Sequence, residues 1–150
     1  MKLPAFDQHV TALAALGSLT TFLGALLRLK CYSTLGPLFT FELGILHDHK
    51  LVQSGPYAFV RHPSYTGMIM TILGVICSHS TQGSWLRESG ILEWTLMRFF
   101  VCYWLVTATA VIASLILRLT NEDAILEREF GSEWSEWAQE VPYRLVPGIY

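Results

Sequence analysis

Leu51–Gly67 reads LVQSGPYAFVRHPSYTG, a polar, basic and aromatic segment set between two strongly apolar runs. Pro63 stops a helix from running through it, because the residue before a proline avoids the α region and the ring has no N–H to donate. Arg61 and His62 therefore stand in a turn ahead of the next apolar run. A cationic turn at a membrane boundary points to a binding function, since charge there is expensive to keep.

The apolar runs around this turn set the fold class. Hydrophobic residues make up 52% of the 150-residue chain and charged residues 15%, too little charge to cover a soluble domain of this size. Mean hydropathy is +0.41, again outside the soluble range. The length suits a single domain, residues 1–150. The expectation is an all-α integral membrane protein with about three transmembrane helices, a re-entrant or interfacial segment and a cytosolic C-terminal helix. Net charge is −2, so no broad basic face for nucleic acid is implied. Cys31, Cys77 and Cys102 lack CxxC spacing and read as buried free thiols rather than a disulfide or metal site.

The spans are expected at about residues 10–29, 65–80 and 94–117. Val10–Leu29 is twenty residues long, about 30 Å as a helix, which matches a bilayer core. It lacks the pattern of a cleaved signal peptide and is expected to remain as an anchor. Its small residues Gly17, Ser18, Gly24 and Ala25 permit close helix packing. The second run, from Tyr65, is shorter and is broken by Gly67 and Gly74. The third, Trp94–Leu117, carries Arg98 near its start, able to snorkel, and Trp94 as an aromatic anchor. Tyr32–Leu46, with Gly36-Pro37 and Glu42, reads as re-entrant or interfacial. In the tail, Asn121 is expected to cap an amphipathic helix whose apolar positions include Ala124, Ile125, Phe130, Trp134 and Trp137.

Basic residues give an orientation. Arg28, Lys30, Lys50, Arg61, Arg118, Arg128 and Arg144 share one side if three spans cross, and Lys2 and Arg87 the other. The turn and the acidic tail, which holds seven of the twelve acids, then both face the cytosol. Arg118 and Glu122, four apart, lie on one helix face. They form either a local ion pair or a divided site, in which the carboxylate takes an ammonium and the arginine an anion.

GPYAFVRHPSYTG, followed by Glu122-Asp123, Leu126, Phe130-Gly131 and Val141-Pro142, resembles the isoprenylcysteine carboxyl methyltransferase family. The upstream LGPLFTFELGILHDHKLVQSGPY resembles its eukaryotic branch, and the likeness runs from about Arg28 to the C-terminus. Eukaryotic members usually carry further spans ahead of this region, so the resemblance is to a short form. The family builds its S-adenosylmethionine site without a Rossmann fold, and no GxGxxG opens a helix here. The resemblance implies that Leu51, Val52, Tyr57, His62, Pro63, Ser64 and Tyr65 line the cofactor pocket, with His49 placed beside them. It implies that Glu122 holds the amino group of the cofactor's methionine moiety. It further implies that Arg61 and Arg118 orient the substrate carboxylate and act catalytically. No metal is implied.

The implied reaction is methyl esterification of the C-terminal carboxylate of prenylated cysteine in CaaX-processed, small GTPase-like proteins. The site would face the cytosol from the endoplasmic reticulum membrane, with the lipid bilayer as a partner. That acceptor is ionised at neutral pH, so desolvation and aim matter more than a general base. Two rival readings remain: a membrane phospholipid N-methyltransferase, which must also deprotonate an ammonium, and an inactive membrane scaffold. From the residues alone, Tyr57 and Tyr65 also fit interfacial anchors and His62 a simple turn cap. His47 with His49, and His9 and His79, read as structural, and Trp134 and Trp137 as packing residues.

Overall fold

A computed structural model of the chain describes residues 12–36 and 50–149. Helices dominate, and among the described residues there is no strand. In chain order they are α1 (Ala12–Leu35), α2 (Pro63–Ser80), α3 (Trp85–Glu88), α4 (Thr95–Phe130) and α5 (Ser132–Glu140).

Helices α1 and α2 run antiparallel and pack backbone to backbone through two pairs of glycines, seven residues apart on each helix. A Cβ on Gly24 would come within 2.6 Å of the Gly67 carbonyl, and one on Gly74 within 2.6 Å of the Gly17 carbonyl. Hydroxyls serve the same seam: Ser78 Oγ donates to the Ala14 carbonyl at 3.4 Å and lies 3.3 Å from Ser18 Oγ. Gly67 and Gly74 do not break α2, as the sequence suggested. The helix runs through both, because the neighbouring helix compensates locally for their missing side chains.

The first helix also departs from expectation. It continues six residues beyond Leu29, so Tyr32–Leu35 completes α1 rather than opening an interfacial segment. The rest of that segment, 37–46, lies outside the described residues, as do Val10 and the histidines His9, His47 and His49. Arg28 explains the extension in part: it donates to Tyr32 one turn on, with its guanidinium 5.4 Å from that ring's centre. Such a contact favours continued helix.

Among the described residues two helices, α1 and α4, are long and apolar enough to cross a membrane by length and composition. Along α4, Phe99, Phe100, Tyr103, Val106 and Leu117 are all largely exposed. An apolar surface of that extent suits lipid rather than water. Helix α2, 18 residues long, does not meet the same test of length and composition. At 36 residues α4 is about 54 Å long, well beyond the roughly 30 Å of a bilayer core. Its apolar stretch ends at Leu117, and the turns from Arg118 onward project beyond it.

Asn121 is not a cap. It sits inside α4, which continues to Phe130 because nothing between Arg118 and Phe130 breaks helix geometry. The break falls at Gly131, at φ +53°, whose N–H bonds the Glu127 carbonyl. That left-handed position favours glycine. The chain then reverses into α5, which buries Trp137 and packs Trp134 against Cys31, Tyr57 and Val141. Beyond α5 the segment 141–149 turns back as a strap along the Arg61–Thr66 turn.

Candidate functional site

The turn ahead of α2 is built by Gly55–Ala58, a single 3₁₀ turn with Pro56 in its first positions, and by Pro63 at the start of α2. Between them Arg61 and His62 take hydrogen bonds that no helix supplies. The Arg61 N–H donates to the Tyr143 carbonyl at 2.9 Å and the His62 N–H to the Arg144 carbonyl at 2.8 Å. Thr66 Oγ1 donates to the Leu145 carbonyl at 2.6 Å. The C-terminal strap thus satisfies the turn's backbone, at a sequence distance of about eighty residues.

Side chains from α4 meet this turn from the other side. Glu122 accepts from Arg118 Nε at 2.8 Å and from the Tyr65 hydroxyl at 2.5 Å, and its second oxygen lies 3.4 Å from His62 Nδ1. Asp123 takes the opposite edge of the same imidazole, with Oδ1 2.9 Å from Nε2. Its Oδ2 lies 3.2 Å from Arg61 Nη1 and 3.0 Å from Arg144 Nε. These are ion-pair distances without a well-aligned hydrogen bond, since Oδ2 is buried and accepts no directed N–H. The His62 and Tyr65 rings stack at 5.7 Å, and the Arg61 guanidinium lies 5.6 Å from the Trp134 ring centre.

The electrostatics follow from this packing, in the part of α4 beyond its apolar stretch. Burial works against charge on His62, but bonds to Asp123 and Glu122 outweigh it and raise its pKa above the ordinary value. Burial likewise works against the two carboxylates, yet both are held below their ordinary range. Bonds from His62 and Tyr65 do this for Glu122, and His62, Arg61 and Arg144 do it for Asp123. Tyr57 is pushed up by burial first and by neighbouring Cys31 second.

A stability profile follows. A raised histidine stabilises the fold fully below its unfolded pKa, and that contribution is lost as pH climbs through the folded value. The lowered carboxylates contribute fully above their unfolded values near 4 and lose the contribution as pH falls through their folded ones. Thermal midpoints of the detergent-solubilised protein should therefore plateau from about pH 5 to 6.5 and fall on both sides. A midpoint that keeps rising beyond pH 8 contradicts the assignment of the alkaline limb to His62.

Of the residues implicated by sequence, the structure brings His62, Tyr65, Arg118 and Glu122 into one cluster, with Arg61 joined through Asp123. Pro63 is fully buried beneath them, and Ser64 is partly buried in the first turn of α2. Tyr57 stands in a neighbouring apolar wall with Cys31, Trp137 and Val141, against which Leu51 and Val52 pack. His49 lies outside the described residues. The spacing argument left Arg118 and Glu122 as either an ion pair or a divided site, and in this structure they are paired. The resemblance includes Asp123 in an acidic pair with Glu122 but gives it no role of its own, and it leaves Arg144 out of the site. The signal was thin: Asp123 adjoins Glu122, but only the path of the strap shows that Arg144 returns to it.

The family model for isoprenylcysteine carboxyl methyltransferases matches residues 16–98, more than half of the chain. Protein-S-isoprenylcysteine O-methyltransferase B of Arabidopsis thaliana is 28% identical over 144 residues, 93% of this chain and 61% of its own length. A probable protein-S-isoprenylcysteine O-methyltransferase of Oryza sativa subsp. japonica is 28% identical over 129 residues, 83% of this chain and 56% of its own. A delta(14)-sterol reductase of Mus musculus is 29% identical over 101 residues, 67% of this chain but 20% of its own. The chain spans 56% to 61% of the length of these two plant relatives.

Proposed function

From the premise that this chain belongs to the isoprenylcysteine carboxyl methyltransferase family, we propose that it methylates the C-terminal carboxylate of prenylated cysteine, using S-adenosylmethionine. The observation that carries this reading is the Glu122 carboxylate. It is part-buried, 19% exposed, beside an apolar aromatic wall and next to an arginine that is 32% exposed. A carboxylate and an arginine so placed suit the two charges of an amino acid-like group and of an anionic acceptor.

The residues present fit the cofactor. Glu122, with Tyr65 and His62 around it, would hold the amino group, and the wall of Leu51, Val52 and Tyr57 would shelter the apolar parts. Pro63 and Ser64 complete the turn beneath, and the family resemblance adds His49 to this set. Once bound, S-adenosylmethionine supplies an electrophilic methyl group on a sulfonium. The acceptor carboxylate is ionised at neutral pH, so no residue has to remove a proton. What the protein supplies is dehydration and aim. Arg118 offers a planar fork for a carboxylate, and Arg61 adds positive potential from a more buried position, 10% exposed.

The substrate's lipid explains the membrane setting. A farnesyl chain of about fifteen carbons favours the bilayer by roughly 0.8 kcal/mol per buried CH₂. The same enzyme must meet the soluble part of a CaaX-processed, small GTPase-like protein. We therefore place the site at the cytosolic face of the endoplasmic reticulum membrane, with α2 as a third span beside α1 and α4. The bias of basic residues supports that orientation. The sterol-reductase likeness covers a fifth of that protein, too little to bring its reaction to this chain.

The direct test is transfer of labelled methyl from S-adenosylmethionine to N-acetyl-S-farnesylcysteine by membranes expressing the chain, with Arg61→Ala alongside. Base-labile label on the farnesylcysteine, reduced at least about tenfold in the variant, is expected. Label appearing only on phospholipid amines would replace this reading with the phospholipid one.

A further inference from the structure

Asp123 is 4% exposed, too covered to touch a ligand, yet its side chain joins three parts of the site. It reaches His62 at the head of α2, Arg61 in the turn and Arg144 in the strap, at 2.9, 3.2 and 3.0 Å. Successive residues of a helix project about 100° apart. That Glu122 and Asp123 both grip one imidazole therefore means the ring is wedged against the flank of α4 and cannot turn freely.

We infer that Asp123 is the positioning residue of this site: by fixing Nε2 of His62 and anchoring the strap, it aims the Nδ1 edge of the ring at Glu122. The inference rests on the methyltransferase reading for its link to cofactor binding, though not for its geometry. A neutral imidazole carries one N–H. If Asp123 holds that proton on Nε2, the Nδ1 lone pair faces the Glu122 carboxylate and repels it. Only the protonated ring serves both acids, with a proton on each nitrogen. Asp123 thus keeps His62 protonated, and the protonated ring in turn sets the plane of the carboxylate that takes the cofactor's amino group.

Among the described residues, the other groups around the ring are an aromatic and three arginines. Tyr65 of α2 stacks on it, Arg61 and Arg144 approach it from the turn and the strap through Asp123, and Arg118 approaches through Glu122. The three arginines oppose a positive imidazole, so its protonation depends on the two carboxylates. Removing the charge of Asp123 alone leaves one carboxylate among four cationic side chains.

The test uses the full chain in detergent, with S-adenosylhomocysteine binding measured by calorimetry from pH 5.5 to 9. In Asp123→Asn the alkaline limb of binding should move down by about one pH unit, and affinity at pH 8 should fall about tenfold. At pH 5.5, where the ring is protonated in both proteins, the two should bind alike. Asp123→Glu, which keeps the charge, should hold the limb in place. A uniform loss at every pH, an unmoved limb in Asp123→Asn, or a shifted limb in Asp123→Glu overturns the inference. Wild-type protein that binds no S-adenosylhomocysteine overturns the methyltransferase reading instead. The ¹⁵N titration of the His62 ring then decides the positioning role, which falls if wild type and Asp123→Asn titrate alike.

Discussion

Glu122→Ala should abolish S-adenosylhomocysteine binding, while Arg118→Ala keeps the binding and loses turnover. The two side chains form one ion pair, so a purely structural pair would give the two variants similar phenotypes. The functional reading separates them. Removing Glu122 deletes the more exposed of the two described carboxylates in the cluster, and it takes a partner from the Tyr65 hydroxyl, from Arg118 and from the Nδ1 edge of His62. Truncating one member of a part-buried charged cluster costs about 2–5 kcal/mol, a loss of affinity from about thirtyfold to several thousandfold. Removing Arg118 leaves Glu122 still held by Tyr65 and His62, so the amino group keeps its partner and affinity should change by less than about threefold. The acceptor carboxylate then lacks its fork, and kcat/KM should fall by about two orders of magnitude. Calorimetry on both variants, with methyl transfer measured in parallel, separates these outcomes. Equal binding by the two sinks the division of roles.

The pairing of Arg118 with Glu122 was legible in the sequence as one of two alternatives, because its parts are local. Arg118 and Glu122 are one helical turn apart, and Pro63 fixes where α2 begins whatever surrounds it. The apolar run from Trp94 announced the start of α4 to within a residue. Where the sequence misled, the surroundings had overridden a single residue's preference. Asn121 is a good cap in isolation, but a cap forms only where a helix begins, and the residues before it are strong helix formers. Gly67 and Gly74 are helix-weakening in isolation, yet α1 lies directly against them and α2 continues. Asp123 shows a different limit. Its importance comes from Arg144 and His62, twenty-one residues downstream and sixty-one upstream. No periodicity links those positions until the strap is seen to return along the turn.

The glycine seam carries the second large effect. Gly24→Leu should unfold the α1–α2 pair or drive it apart, and cofactor binding should go with it. Even a Cβ at this position meets the Gly67 carbonyl at 2.6 Å, with Thr71 Oγ1 at 2.8 Å, so a backbone rather than a flexible side-chain tip must move. Overpacking a close interface costs about 1–3 kcal/mol when side chains can give way, and more when backbones must part. In a bilayer no hydrophobic force restores the pair, because lipid solvates an exposed leucine as well as a neighbouring helix does. Separation is therefore less strongly opposed than in a soluble core. The consequence reaches the site through α2, whose first turn carries Tyr65 two residues after Pro63 and follows directly on His62. A shift of α2 by about one ångström misplaces both against Glu122, a displacement large enough to cost about a hundredfold in a positioned reaction. Leu26→Ala makes the control, since that side chain is on the outer face of α1 and 45% exposed. Its melting temperature and binding should match wild type, whereas Gly24→Leu should lower the first and lose the second. A Gly24→Leu protein that melts with wild type and binds S-adenosylhomocysteine normally means that the two helices do not meet at this seam.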